Sequence, residues 1–208
     1  MIPQRPRKKV SQRRTILIAC EGKSTEPIYF DGLRQEQSIR DRFVVKVVPG
    51  TGGDARTTVN NAIEESNRAK IRREPYDEVW CVVDVETIAS KAQFSEAQAL
   101  MKEKAFISAA SNPSFEVWLI AHFECIQRPF QDSKAVEERL QNDHWKPNFR
   151  CDYDKSDQCI YERLANMLDT AIANAKWVLE THHKNSACKD SNSSTEVYRL
   201  VSRLRTPY

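Results

Sequence analysis

Short apolar runs alternate along this chain with longer stretches in which polar and apolar positions recur at helical spacing. Thr15 to Cys20, Phe43 to Val48 and Val79 to Val83 are rich in β-branched and apolar residues. Runs of this length, bounded by polar or glycine-rich segments, read as buried strands. After the first of them, Ser24 or Thr25 as cap, Glu26 in the first turn and Pro27 predict the start of a helix carrying Ile28, Tyr29 and Leu33. Gly50-Thr51-Gly52-Gly53-Asp54 predicts a flexible turn before a helix from Ala55 to Arg72. Gln93 to Lys104 reads as helix and Ala105 to Ala110 as a further strand. Asn112 as cap and Pro113 at the first position then open another helix, apolar nearly all round through Phe123 and therefore buried. Beyond Phe123 no strand is expected: residues 131–142 and 158–183 read as helices, and Thr195 to Leu204 as a short last one.

Strand-helix alternation over the first 110 residues predicts an α/β fold with a mostly parallel sheet, right-handed crossovers and flanking helices. The expected organisation is a basic flexible tail over residues 1–14, an α/β core over 15–124, and a helical C-terminal extension over 125–208 packed on that core. At 208 residues such a chain buries a sizeable core.

Composition changes this picture little. Hydrophobic residues make up 40% and charged residues 29%, as in an ordinary soluble globular protein, and no apolar stretch approaches the ~20 residues that cross a bilayer. The N-terminus has positive charge but no apolar stretch of a signal peptide behind it. Cys20, Cys81, Cys125, Cys151, Cys159 and Cys188 form no Cys-x-x-Cys pair, which points to a reduced cytoplasm without disulfides or zinc. Charge is more informative. Arg5, Arg7, Lys8, Lys9, Arg13 and Arg14 place six cations and no acid in the first fourteen residues, so the formal +3 leaves about −3 for the rest of the chain. That tail is a candidate contact for nucleic-acid phosphates and equally a solvated start.

The candidate chemistry sits where strands run out. The first strand ends on Glu21-Gly22 and the third on Asp84-Val85-Glu86. Carboxyl ends of strands in an open α/β sheet are where ligands gather. Strand alternation places Asp84 and Glu86 on one side, and with Glu21 three carboxylates converge. A hard divalent ion, Mg²⁺ or Mn²⁺, held by such carboxylates together with water and substrate phosphate, relieves their repulsion. Strand-end acids also cap following helices, a plainer reading that weighs more on Glu86 than on Glu21. Glu116, one turn into a buried helix, needs a partner and is a further metal ligand or the mate of a lysine. Lys23 and Lys155 are candidates to hold phosphate, although Asp152, Asp154 and Asp157 offer Lys155 a surface network instead. Glu26 suits a supporting acid or a helix N-terminus, Asn112 a cap rather than a ligand, and His122 a structural role. Gly50-x-Gly52-Gly53 lacks the Gly-Lys-Ser/Thr ending of a P-loop, so no nucleotide hydrolysis is expected of this chain.

A strand ending in Glu-Gly followed by βα units and a strand ending in acid-x-acid resembles the Toprim arrangement. More specifically, Cys20-Glu21-Gly22-Lys23-Ser24-Thr25-Glu26-Pro27-x-Tyr29-Phe30 resembles the opening motif of the RloB family. Asp84-Val85-Glu86, Ser111-Asn112-Pro113-Ser114-Phe115-Glu116-x-Trp118-Leu119, His122-Phe123, Tyr153-x-Lys155 and Thr195-x-Val197-Tyr198 resemble its later blocks, so the resemblance spans nearly the whole chain. It implies a Toprim-like core, a metal-dependent nuclease of a bacterial phage-defence or abortive-infection locus, and an AAA-type ATPase as partner. It also implies acid/base work for Glu21 and metal binding by Asp84 and Glu86, with glutamate standing where the usual Toprim pair has a second aspartate. Nucleic acid, whether DNA, RNA or tRNA, is the expected substrate, and a second copy of the chain is a candidate partner. The competing reading is a non-catalytic regulatory subunit whose acidic cluster only binds. A primase-like enzyme is disfavoured by the lack of a zinc-binding segment.

Overall fold

The computed structural model describes residues 13–85, 90–184 and 186–206. Five strands form one sheet: β1 (Arg14–Cys20), β2 (Phe43–Val48), β3 (Glu78–Asp84), β4 (Ile107–Asn112) and β5 (Ser194–Thr195), in the order β2-β1-β3-β4-β5. The first four run parallel and β5 is antiparallel to β4. The expected α/β class with a mostly parallel sheet flanked by helices is therefore present. Arg14 belongs to β1, whereas residues 1–12 of the predicted tail lie outside the described residues.

Ten α-helices accompany the strands among the described residues: α1 (Thr25–Leu33), α2 (Gln37–Arg40), α3 (Ala55–Ile71), α4 (Ser90–Glu103), α5 (Glu116–Ala121), α6 (Ser133–Arg139), α7 (Lys146–Phe149), α8 (Ile160–Leu164), α9 (Leu168–Trp177) and α10 (Val197–Arg205). A π-helical turn over Leu140–Trp145 joins α6 to α7, and a second over Val178–His182 prolongs α9. None of these helices is long and apolar enough to cross a membrane.

Period-two alternation sorts β1 between two layers. Ile16, Ile18 and Cys20 pack with α1, α5 and α8–α10, while Leu17 and Ala19 pack with α3 and α4. Because β2 lies on one side of β1 and β3 on the other, the chain reverses its direction of growth between β1 and β3. A crevice opens outside the carboxyl ends of the strands at such a reversal.

Three expectations are corrected. A strand does occur beyond Phe123, the two-residue β5, which pairs Ser111 with Thr195 and Asn112 with Ser194. It has no apolar run to betray it; hydroxyl pairing at 2.8 Å between Ser111 Oγ and Thr195 Oγ1 and a 2.7 Å bond from Glu196 N–H to the Ala110 carbonyl anchor it. Asn112 is not the cap of α5. It closes β4, its side-chain amide donates to the Cys188 carbonyl at 2.8 Å, and the helix begins only at Glu116. The strand expected from Ala105 likewise starts at Ile107, because Ala105 adopts φ 56° in the turn that ends α4.

Candidate functional site

Glu21 follows β1 directly, and its N–H donates to the Val82 carbonyl at 3.0 Å, carrying the β1–β3 ladder one residue further. Its carboxylate Oε2 accepts the Asp84 N–H at 3.2 Å. The backbone here is clamped from the β2 side as well: Gly50 N–H donates to the Gly22 carbonyl at 2.9 Å. Only glycine fits at position 50, because a Cβ there would lie 1.8 Å from the Glu21 carbonyl oxygen. The predicted flexible turn is thus a fixed neighbour of Glu21 at its first residue.

Asp84 ends β3 and receives a hydrogen bond from the Phe115 N–H, yet its Oδ1 is sealed from solvent with no hydrogen-bond partner among the described residues. Burial and then the nearby Glu26, Glu116 and Glu21 carboxylates push its pKa well above the usual carboxylate range. Glu26, 5% exposed, reaches back from the first turn of α1 and accepts the Gly22 N–H at 3.0 Å. Burial, opposed by backbone hydrogen bonds and reinforced by Glu116, raises its pKa too.

Glu116, 3% exposed at the start of α5, accepts from Ser114 Oγ at 2.7 Å and from the Tyr153 hydroxyl at 3.3 Å. Lys155 stands 3.3 Å from Glu116 and 2.7 Å from Glu137. Half-burial works against its charge, but Glu116 and Glu137 outweigh that and raise its pKa. The lysine was therefore the mate Glu116 needed. Asp152, Asp154 and Asp157 turn elsewhere, to Lys146, Ser156 and Arg163 respectively, so the expected surface network around Lys155 does not form.

These groups line a cleft of ≈ 440 Å³ that also includes Lys23, Gly52, Gly53, Ser133 and Glu137. Lys23 is exposed and has no ion pair among the described residues. Gly52, at φ 79°, lets its aliphatic stem pass, since a Cβ there would lie 2.7 Å from Lys23 Cε. Of the residues singled out in the sequence, Glu21, Lys23, Glu26, Asp84, Glu116 and Lys155 meet in this cleft. Asn112 turns away from it to Cys188, and Glu86 lies outside the described residues. His122 is buried, with Nδ1 3.0 Å from the Trp118 carbonyl, and burial lowers its pKa to about 4, as befits a structural residue. Glu137 and Ser133, on a surface-facing stretch of α6, gave no sequence signal; only the packing of α6 over the cleft brings them in.

Could these residues hold a divalent cation? Among the described residues no three ligand side chains are drawn together as a bound metal requires. The donor chemistry nevertheless fits: every acid of the cleft offers hard carboxylate oxygen, and the orphaned Oδ1 of Asp84 is a buried acceptor without a donor.

One comparison with known proteins places the chain. The model of the family described as RloB-like protein matches residues 16–204. No curated protein and no solved structure matches it.

Proposed function

The chain belongs to the RloB-like protein family, and from that premise we propose that it is a metal-dependent nuclease effector of a bacterial anti-phage defence system, with a Toprim-like core. The family points to the defence role, and the nuclease reading is carried by one observation above all. Asp84 Oδ1 is buried at the β1–β3 reversal without a hydrogen-bond partner among the described residues, beside three further carboxylates. An acid left in that position needs either a proton or a cation.

On this reading Asp84, with Glu21 and Glu116, would hold Mg²⁺ or Mn²⁺, and Glu86 is proposed as a further ligand. When bound, the ion supplies charge neutralisation at a scissile phosphate and an activated water. Glu21 takes the acid/base role, its orientation held by the Asp84 N–H. Lys23, without an ion pair among the described residues, offers its ammonium to a phosphate oxygen at the rim. Lys155 steadies Glu116, and Tyr153, whose hydroxyl burial and Glu116 keep protonated, remains a donor to that carboxylate. Glu26 fixes the Gly22 backbone beneath Glu21. An AAA-type ATPase partner and a nucleic acid substrate complete the proposal.

A second reading has one observation in its favour. Lys155 already neutralises Glu116, which suits a non-catalytic subunit of a defence ATPase whose cleft is a binding surface. The deciding measurement is cleavage of single- and double-stranded DNA, RNA and tRNA with Mg²⁺ or Mn²⁺, repeated with the partner ATPase and ATP. Metal-dependent cleavage that EDTA and Glu21→Ala both abolish is the expected result. Intact partner association with no cleavage of any substrate favours the regulatory subunit.

A further inference from the structure

At the other end of the sheet, where the parallel strands begin, a second cleft of ≈ 740 Å³ is lined by Arg13, Arg14, Lys46, Arg72 and Arg73, with Glu74 and Asp77 as its acids. The acids nearby are largely engaged. Asp77 accepts from Thr15 N–H at 2.7 Å and from Thr15 Oγ1 at 3.0 Å. Glu65 is held by Lys46 at 2.7 Å and Arg72 at 3.1 Å. Arg13 is exposed and donates to the Arg40 carbonyl at 3.1 Å, and Arg73 makes no ion pair among the described residues. In the sequence, Arg5, Arg7, Lys8 and Lys9 precede Arg13.

The backbone at Arg73 adds an independent observation. Helix α3 ends with Arg73 N–H bonded to the Lys70 carbonyl and Glu74 N–H to the Ala69 carbonyl, and Arg73 itself sits at φ 61°. That is the left-handed position after a helix that glycine normally fills, because a Cβ is strained there. The helix dipole favours a cation at this end, but Arg68, Lys70 and Arg72 already serve it. An arginine at position 73 therefore gives up stability where glycine would fold better, and its guanidinium has no ion pair among the described residues at the cleft.

We propose that this cleft is a second nucleic-acid contact, a phosphate-binding track in which Arg13 and Arg73 engage the backbone of the strand or duplex whose scissile phosphate lies at the carboxylate cleft. That it binds a polyanion rests on the cleft itself; that the polyanion is the nuclease substrate rests on the function proposed above. β1 spans seven residues between the two ends, about 20 Å, so a ligand touching both needs at least about six base pairs of duplex. Phosphate contacts of this kind position a substrate without reading its sequence.

The test is fluorescence anisotropy of the full chain in EDTA with labelled DNA and RNA oligonucleotides across 50–200 mM salt, a range over which phosphate contacts register. Arg73→Gly is expected to weaken binding roughly tenfold at low salt and to reduce the slope of log K against log salt by about 1, while its melting temperature rises. Arg13→Gln is expected to add a similar loss with the melting temperature unchanged. A purely structural Arg73 would leave affinity untouched, and that result, or affinity and melting temperature falling together, overturns the proposal. So does binding of an acidic peptide with no binding of oligonucleotides, which would mark a protein partner. Loss of binding in Arg73→Gly without cleavage by the wild type keeps the track and removes the nuclease; cleavage with unchanged binding in Arg73→Gly does the reverse.

Discussion

With Oδ1 unpartnered and three carboxylates close by, Asp84 keeps its proton to a higher pH in the folded chain than in the unfolded one. Its ordinary value is 3.8, and the folded value is raised by burial and by Glu26, Glu116 and Glu21. Above pH ~4 the native state therefore binds more protons than the unfolded state, and stability is lost as pH rises through the raised folded value. In EDTA the melting temperature is expected to decline over that window, and Asp84→Asn, which cannot ionise, to flatten the decline and melt higher at neutral pH. Added Mg²⁺ should raise the melting temperature of the wild type and leave Asp84→Asn unmoved. A pH profile identical in both proteins would contradict this electrostatic account. Asp84 and Glu21 were visible in the sequence because each ends an apolar run. Glu26 and Glu116 were singled out as well, as a supporting acid and as a metal ligand or lysine mate, but only the packing of α1 and α5 brings both against the Asp84 carboxyl.

Among the elements, the connection from β2 into α3 was the one most misjudged by pattern alone. Glycines at 50, 52 and 53 look like slack, but Gly50 touches the Glu21 backbone and Gly52 makes room for Lys23. Replacing Gly50 by alanine drives a methyl group into the Glu21 carbonyl. We expect a loss of about 2 kcal/mol or more in denaturant unfolding, together with loss of the Mg²⁺-induced rise in melting temperature. A Gly50→Ala protein with wild-type stability and metal response would show that this contact relaxes freely. Asp54, whose side chain caps α3 through the Thr57 N–H at 2.8 Å, sits where a helix start was readable. The start of α5 was not readable, because Asn112 satisfies a carbonyl some 76 positions away rather than its own helix.

At the scale of the whole molecule, one buried cluster joins both halves of the chain. Ile16, Trp118 and Ile120 share it with Ile126, Trp145, Ile160, Leu168 and Leu204. A fragment ending at residue 124 is therefore expected to lack cooperative thermal unfolding, because it exposes the face that α8, α9 and α10 cover. A soluble fragment with a sharp transition would instead make the first part an independent domain. The sequence by itself determined the four parallel strands, the α/β class and the placement of Glu21 and Asp84 at strand ends, because local periodicity and punctuation act over a few residues. Only the tertiary structure decided that β5 completes the sheet, that Lys155 pairs with Glu116 and Glu137, and that two basic and acidic clefts lie at opposite ends of the strands. Those features join residues distant in the chain, and desolvation and charge pairing take effect only where packing brings such residues together.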